Sequence, residues 1–83
     1  MDDMVRRGLQ TQLLKCMFAE TAPQSKLIAR MTVHDIAMVM AVATMHSHEK
    51  LLADPQDHCA WRALSRAQVL REAITQVLSS DGR

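Results

Sequence analysis

The stretch Asp54-Pro55-Gln56-Asp57 separates two helical segments in this chain of 83 residues. An aspartate directly before a proline is typical of a helix N-terminus, because the carboxylate caps backbone N–H groups and proline needs no hydrogen-bond partner in the first turn. Asp57 adds negative charge near the positive end of the helix dipole. We therefore expect a helix that begins at Pro55 and covers residues 55–80, and we expect residues 81–83 to fray.

The residues after this turn carry one apolar stripe at helical spacing, as expected of a helix with one buried face. Arginines and glutamines occupy most of the positions between the stripe residues, so the other face is polar. The stripe consists of Ala60, Ala63, Leu64, Ala67, Leu70, Ile74, Val77 and Leu78.

The residues before the turn contain the most apolar run of the chain, Ile36-Ala37-Met38-Val39-Met40-Ala41-Val42-Ala43-Thr44-Met45. A helix through this run has no polar face, and a helix that is apolar all round has to be covered all round. The run is too short to cross a bilayer, which takes about 20 residues. We expect a helix over residues 33–53 that is covered by protein.

Few residues separate these two helices, so we expect them to fold back on each other as an antiparallel hairpin. Hydrophobic residues make up 48% of the chain, and only Phe18 and Trp61 are aromatic, which favours helices over a sheet. The predicted fold is all-α, a hairpin with an additional N-terminal helix. Because so short a chain buries a small core, we expect a partner or dimerisation to complete it.

The N-terminal part is expected to form further helix. A helix over residues 3–20 follows from the spacing of Val5, Leu9, Leu13, Cys16 and Met17, although Gly8 weakens it by about 1 kcal/mol relative to alanine.

The segment from residue 22 to residue 31 has two interpretations. Thr21 and Pro23 fit a helix start near Ala22, and this helix could continue into the long one. Thr32 and Asp35 instead have the spacing of a helix cap, which favours a short helix over 22–31 and a separate helix from Val33.

Charge and cysteine content limit the classes of partner. The formal net charge is +1 and the charges of both signs are mixed along the chain, so we expect neither nucleic acid nor a membrane as partner. Cys16 and Cys59 form no spaced framework, which favours a reducing compartment. The acidic start of the chain does not fit a signal peptide. We expect a cytoplasmic protein.

No motif predicts catalysis, so we expect no enzyme activity, no catalytic residues and no cofactor. The chain has no Gly-rich phosphate loop, no HExxH and no GxSxG. His46 and His48 point apart on a helix, as do His58 and Cys59, so we expect no metal site. Direct nucleic-acid binding would need the arginines at 62, 66 and 71 on one exposed face.

The hairpin resembles one known family. The segment Lys50-Leu51-Leu52-Ala53-Asp54-Pro55-Gln56, followed by Leu64, Ala67, Leu70, Ala73, Ile74, Val77 and Leu78, is similar to the small co-chaperones of type III secretion needle subunits. The resemblance covers residues 33–78. It implies a helical hairpin with a proline opening the second arm, a tetratricopeptide-type chaperone as partner, and a needle subunit held unpolymerised in the bacterial cytoplasm. His58 stands where the family usually has an aromatic residue, and residues 1–31 are an extra arm.

The sequence therefore predicts a protein-binding module whose partner is a helical chaperone or a secreted subunit. The alternative is a homodimeric helical regulatory protein, either an antiactivator or a nucleoid-associated transcription modulator, with the same surface buried against its own copy. The residues that we expect at the protein interface are Ile36, Val39, Met40, Ala43, Trp61, Leu64, Leu70, Ile74 and Val77.

Overall fold

A computed structural model describes the backbone of residues 3–81 and the side chains of residues 3–79. Within this range the chain forms four helices and no strand: α1 (Asp3–Phe18), α2 (Ser25–Ala29), α3 (Val33–Ala53) and α4 (His58–Asp81). The predicted all-α class is confirmed. None of these helices is both long enough and apolar enough to cross a membrane.

The body of the fold is the hairpin of α3 and α4, and α1 packs against both of its arms. The core between the three helices combines large side chains from α1, Leu13 and Met17, with alanines from α4. Small residues on α4 allow the helix backbones to approach closely. The core residues are Leu13, Met17, Ile36, Val39, Ala43, Ala63 and Ala67.

The start of α4 differs from the prediction. The helix begins at His58, whereas Pro55 and Gln56 form a turn. Asp54 accepts a hydrogen bond from the backbone N–H of Gln56 at 3.1 Å, and Asp57 accepts one from the backbone N–H of Ala60 at 3.1 Å. Either aspartate could cap the N-terminus of α4. Asp57 caps it, because the Asp54 side chain is hydrogen-bonded within the turn. At the other end, α4 includes Asp81, which we expected to fray together with residues 82 and 83. Residues 82 and 83 lie outside the described residues.

The prediction of a helix start near Ala22 is wrong, and α1 ends at Phe18 instead of residue 20. Residues 19–24 connect α1 to α2, which begins at Ser25 after Gln24 without a side-chain cap. Proline disfavours helical backbone in the residue before it, which explains why Ala22 does not open a helix.

The break at Thr32 agrees with the favoured interpretation. The Thr32 hydroxyl accepts a hydrogen bond from the backbone N–H of Asp35 at 3.1 Å, and α3 begins at Val33. The hydroxyl also donates to Asp35 Oδ2 at 2.9 Å. This local cap ends the connection from α2 and fixes the start of the long helix.

Candidate functional site

Three of the expected interface residues lie in the core instead. Ile36, Val39 and Ala43 are 6%, 4% and 0% exposed, so they cannot meet a partner while the chain is folded. Their face of α3 packs against Leu13 and Met17 of α1. The interface prediction is wrong for these three residues because α1 covers that face of the hairpin.

The other expected interface residues remain partly or largely accessible, but they do not share one surface. Met40, Trp61, Leu64 and Ile74 line a groove between α3 and α4. Leu70 faces the connection to α2, next to Pro23 and Ile28. Val77 is exposed near the end of α4, outside the groove.

We call this groove the α3/α4 groove, and its volume is about 860 Å³. No residue of α1 lines it. Two antiparallel helices have a groove on each side, and α1 fills one of them. The other side stays open, and it is lined by Ala37, Met40, Ala41, Thr44, Trp61, Leu64, Ser65, Ala67, Gln68, Arg71, Ile74 and Thr75.

The α3 wall of the groove carries small side chains. Ala37 and Ala41 are exposed, one helical turn apart, so they leave room for another chain to approach the α3 backbone. These two alanines and Thr44 were not among the expected interface residues. Their spacing within the apolar run was the available signal, but it does not tell which side of α3 is covered by α1.

Trp61 closes one end of the groove and is 53% exposed. Its indole Nε1 donates to the carbonyl oxygen of Pro55 at 2.9 Å, which ties the side chain to the turn before α4. The hydrogen bond therefore restrains the ring while about half of the residue remains accessible. A fixed, half-exposed tryptophan beside an apolar groove has the features of an interface anchor.

Arg71 is the only charged residue in the lining of the α3/α4 groove. Its side chain is exposed, and it forms no ion pair with any carboxylate among the side chains that the structure describes. A single cation on the wall of an otherwise neutral groove favours a partner with a carboxylate at the matching position.

The other arginines of α4 have a structural role. Arg66 donates to the backbone carbonyls of Cys16, Met17, Ala19 and Glu20, and Arg62 donates to that of Phe18 at 3.4 Å. These carbonyls lie at or just after the end of α1, where a helix leaves acceptors unpaired. The arrangement separates Arg62 and Arg66 from Arg71, so the three do not form the exposed phosphate-binding face that nucleic-acid binding would need.

Asp35 is a buried carboxylate at the start of α3, and its side-chain partners are two residues of α1 and the cap residue Thr32. Arg6 Nη2 and Gln10 Nε2 each lie 2.8 Å from Oδ1, and the Thr32 hydroxyl lies 2.9 Å from Oδ2. The hydrogen bond from Arg6, followed by those from Thr32 and Gln10, holds the pKa of Asp35 well below its usual value, against the effect of burial. Both carboxylate oxygens therefore have hydrogen-bond partners, which suits a structural role.

The histidines and cysteines do not come together as a metal centre. His46 and His48 are both within the regular helix α3 and exposed, so their side chains diverge. Cys16 and Cys59 are free thiols. Over the described part of the chain, no group of three or more potential ligands could hold a metal ion.

The α3/α4 groove is therefore the best candidate site, because it is large, largely apolar and open. Its polar groups are one guanidinium and neutral hydroxyls and amides. Apolar clefts with a small number of polar groups are typical of binding sites. No protein-family model, curated protein or solved structure matches the chain.

Proposed function

We propose that the chain is a protein-binding module that holds one helix of another protein in the α3/α4 groove. The observation that carries this proposal is the open apolar groove on the side of the hairpin that α1 leaves uncovered. Grooves of this kind commonly accept the apolar face of an amphipathic helix.

The length of the groove fits a helix. Along α4 the lining extends from Trp61 to Thr75, which is about 21 Å at the 1.5 Å rise of an α-helix. A partner helix of about four turns would cover this length. Small residues on the α3 wall, Ala37 and Ala41, permit close approach, and Trp61 supplies a large contact at one end.

The charge of Arg71 indicates one further property of the partner helix. Arg71 projects from the groove wall without an ion pair to any described carboxylate. A partner helix with a glutamate or aspartate opposite Arg71 would gain a charge-assisted hydrogen bond in a partly desolvated place. The proposed occupant is therefore an apolar helix with one acidic side chain in its contact face.

As the specific form of this function, we propose a cytoplasmic co-chaperone for a type III secretion needle subunit or its chaperone. The support is the resemblance over residues 33–78, a range that contains all of α3 and most of α4. Asp54 and Pro55 lie in the turn between these helices. A homodimer with the groove buried against a second copy is the competing outcome.

Co-purification with a matched pair of variants tests the proposal. Ala41→Arg fills the groove from an exposed position, whereas Ala73→Arg makes the same change at an exposed alanine of α4 that does not line it. Purified from its native cell, the unaltered chain and Ala73→Arg should retain the same partner in a 1:1 complex, and Ala41→Arg should lose it.

Two results would count against the proposal. If Ala41→Arg retains the partner as well as Ala73→Arg does, the groove is not the binding site. If light scattering gives twice the mass of one chain and Ala41→Arg reduces it to the mass of one chain, the groove binds a second copy and the foreign partner is excluded.

A further inference from the structure

The packing of α1 shows how the hairpin accommodates a helix on one of its two sides. Leu9, Leu13 and Met17 follow one another at four-residue spacing on one face of α1, and all three are buried. Leu13 and Met17 belong to the same core cluster as the small side chains of Ala43 and Ala63. Small residues of the hairpin therefore make room for large side chains of the helix that lies against it.

The α3/α4 groove on the opposite side also carries small residues. Ala37, Ala41 and Ser65 are part of its lining. Ala67 belongs both to the core beneath α1 and to the lining of this groove. A helix that fills the groove therefore needs large apolar side chains at a spacing of about one turn, as α1 has.

The polar contacts of α1 define its direction. Arg6, near the start of α1, pairs with Asp35 at the start of α3. Arg66, in the first half of α4, donates to backbone carbonyls at the end of α1. The helix α1 therefore runs parallel to α3 and antiparallel to α4.

The α3/α4 groove offers a charge and a large contact at a similar separation, but the sign of the charge is inverted. Arg6 and Met17 are about 17 Å apart along α1 at the 1.5 Å rise of a helix. Arg71 and Trp61, which line the groove, are about 15 Å apart along α4. Beneath α1 the cation belongs to the bound helix, whereas in the groove it belongs to the hairpin.

We infer that the helix held in the α3/α4 groove carries a carboxylate followed three, seven and eleven residues later by large aliphatic side chains. This is the spacing of α1 from Arg6 to Met17 with the charge inverted. The inference rests on the proposed function and describes the contact face of the partner. The bound helix runs antiparallel to α4, so its carboxylate meets Arg71 and its last aliphatic residue meets Trp61. A carboxylate near its N-terminus also interacts favourably with its own helix dipole.

The α1 helix of a second copy does not fit this description. Arg6 would face Arg71, and like charges placed together across an interface oppose binding. Leu13 and Met17 are fully buried within their own chain, so they are not available to another. Both observations favour a helix of another protein as the occupant.

Two synthetic peptides with the sequence of residues 3–18 test this pattern against the full chain. Both carry Gly8→Ala to favour the helix, and one also carries Arg6→Glu. Trp61 is the only tryptophan of the chain and the peptides contain none, so its fluorescence reports binding in the groove. The peptide with Arg6→Glu should bind at least about tenfold more tightly than the peptide that keeps Arg6, because a charge-assisted hydrogen bond replaces a like-charge contact.

Variants of the chain separate this pattern from unspecific apolar contact. Arg71→Glu should reverse the order of the two peptides. Ala41→Arg should bind neither peptide, whereas Ala73→Arg should bind both as the unaltered chain does. Equal affinities of the two peptides, an order that Arg71→Glu does not reverse, or unchanged Trp61 fluorescence would overturn the inference.

Failure of this inference and failure of the proposed function give different results. If the peptides fail but Ala41→Arg still loses the native partner on co-purification, the spacing is wrong and the groove remains the binding site. If Ala41→Arg retains that partner, both proposals are overturned.

Discussion

Arg6 Nη2 lies 2.8 Å from Asp35 Oδ1, and this ion pair joins α1 to the first turn of α3. The carboxylate side chain is 2% exposed, whereas the arginine is 37% exposed. Gln10 and Thr32 complete the carboxylate's hydrogen bonds. Together with the packing of Leu13 and Met17, this contact holds α1 on one side of the hairpin, and the other side remains open.

The pKa of Asp35 in the folded chain is lowered, chiefly by the hydrogen bond from Arg6, so folding stability should depend on pH. The stabilising effect is present above the pKa of an unfolded aspartate, about 3.9, and is lost as the pH falls towards the lower folded value. Urea unfolding between about pH 6 and 2 should show this loss in the unaltered chain. In Asp35→Ala, stability should be lower at neutral pH and should change less with pH. An equal pH dependence in both chains would show that other groups cause it.

Replacing Arg66 by alanine should destabilise the fold, because the guanidinium satisfies carbonyls at the exit of α1. Hydrogen bonds from a charged group predict a loss of about 1.5 to 3 kcal/mol in the free energy of unfolding. Arg71→Ala, on the same helix but in the groove, should change it by less than about 0.5 kcal/mol. Equal losses in urea denaturation would refute the capping role of Arg66.

The two aspartates near the start of α4 should differ in their effect on stability. Asp57 accepts from the backbone N–H of Ala60, so Asp57→Ala should cost about 1 kcal/mol, as for other N-cap residues. Asp54 bonds within the exposed turn, to Gln56, so Asp54→Ala should cost less. Thermal unfolding of both variants checks the order, and the reverse order would place the cap at Asp54.

Gly8→Ala should stabilise the chain by about 1 kcal/mol. Gly8 lies inside α1, and a methyl group at its Cβ position would meet no atom within 4 Å. Alanine there gains helix propensity without a clash. Chemical denaturation of the variant should show the increase, and a loss of stability would mean that α1 is not helical at Gly8.

Local signals account for the parts of the fold that the sequence predicts well. Thr32 and Asp35 define the start of α3 within four residues of chain, and the same local chemistry is visible in the structure. The start of α4 was placed too early because two aspartates carry the same capping signal. Their assignment depends on contacts of the turn, such as the bond from Trp61 to Pro55, which spacing alone does not reveal.

The candidate site could be predicted only in part, because burial depends on where α1 lies. Ile36 and Ala41 belong to the same apolar run, yet Ile36 is buried under α1 and Ala41 is exposed in the groove. A helix that is apolar all round carries no periodicity to distinguish these faces. The role of Arg66 was also missed, since its carbonyl partners are 46 to 50 residues away in the sequence.

Photo-crosslinking in the native cell tests the binding role of the α3/α4 groove most directly. A photoreactive residue at position 41 faces the groove, and one at position 73 lies on α4 outside it. We predict that a single foreign protein crosslinks at 41 and not at 73, and that Arg71→Glu removes the adduct. Equal crosslinking at both positions, an adduct with a second copy of the chain, or no adduct at 41 would contradict this role.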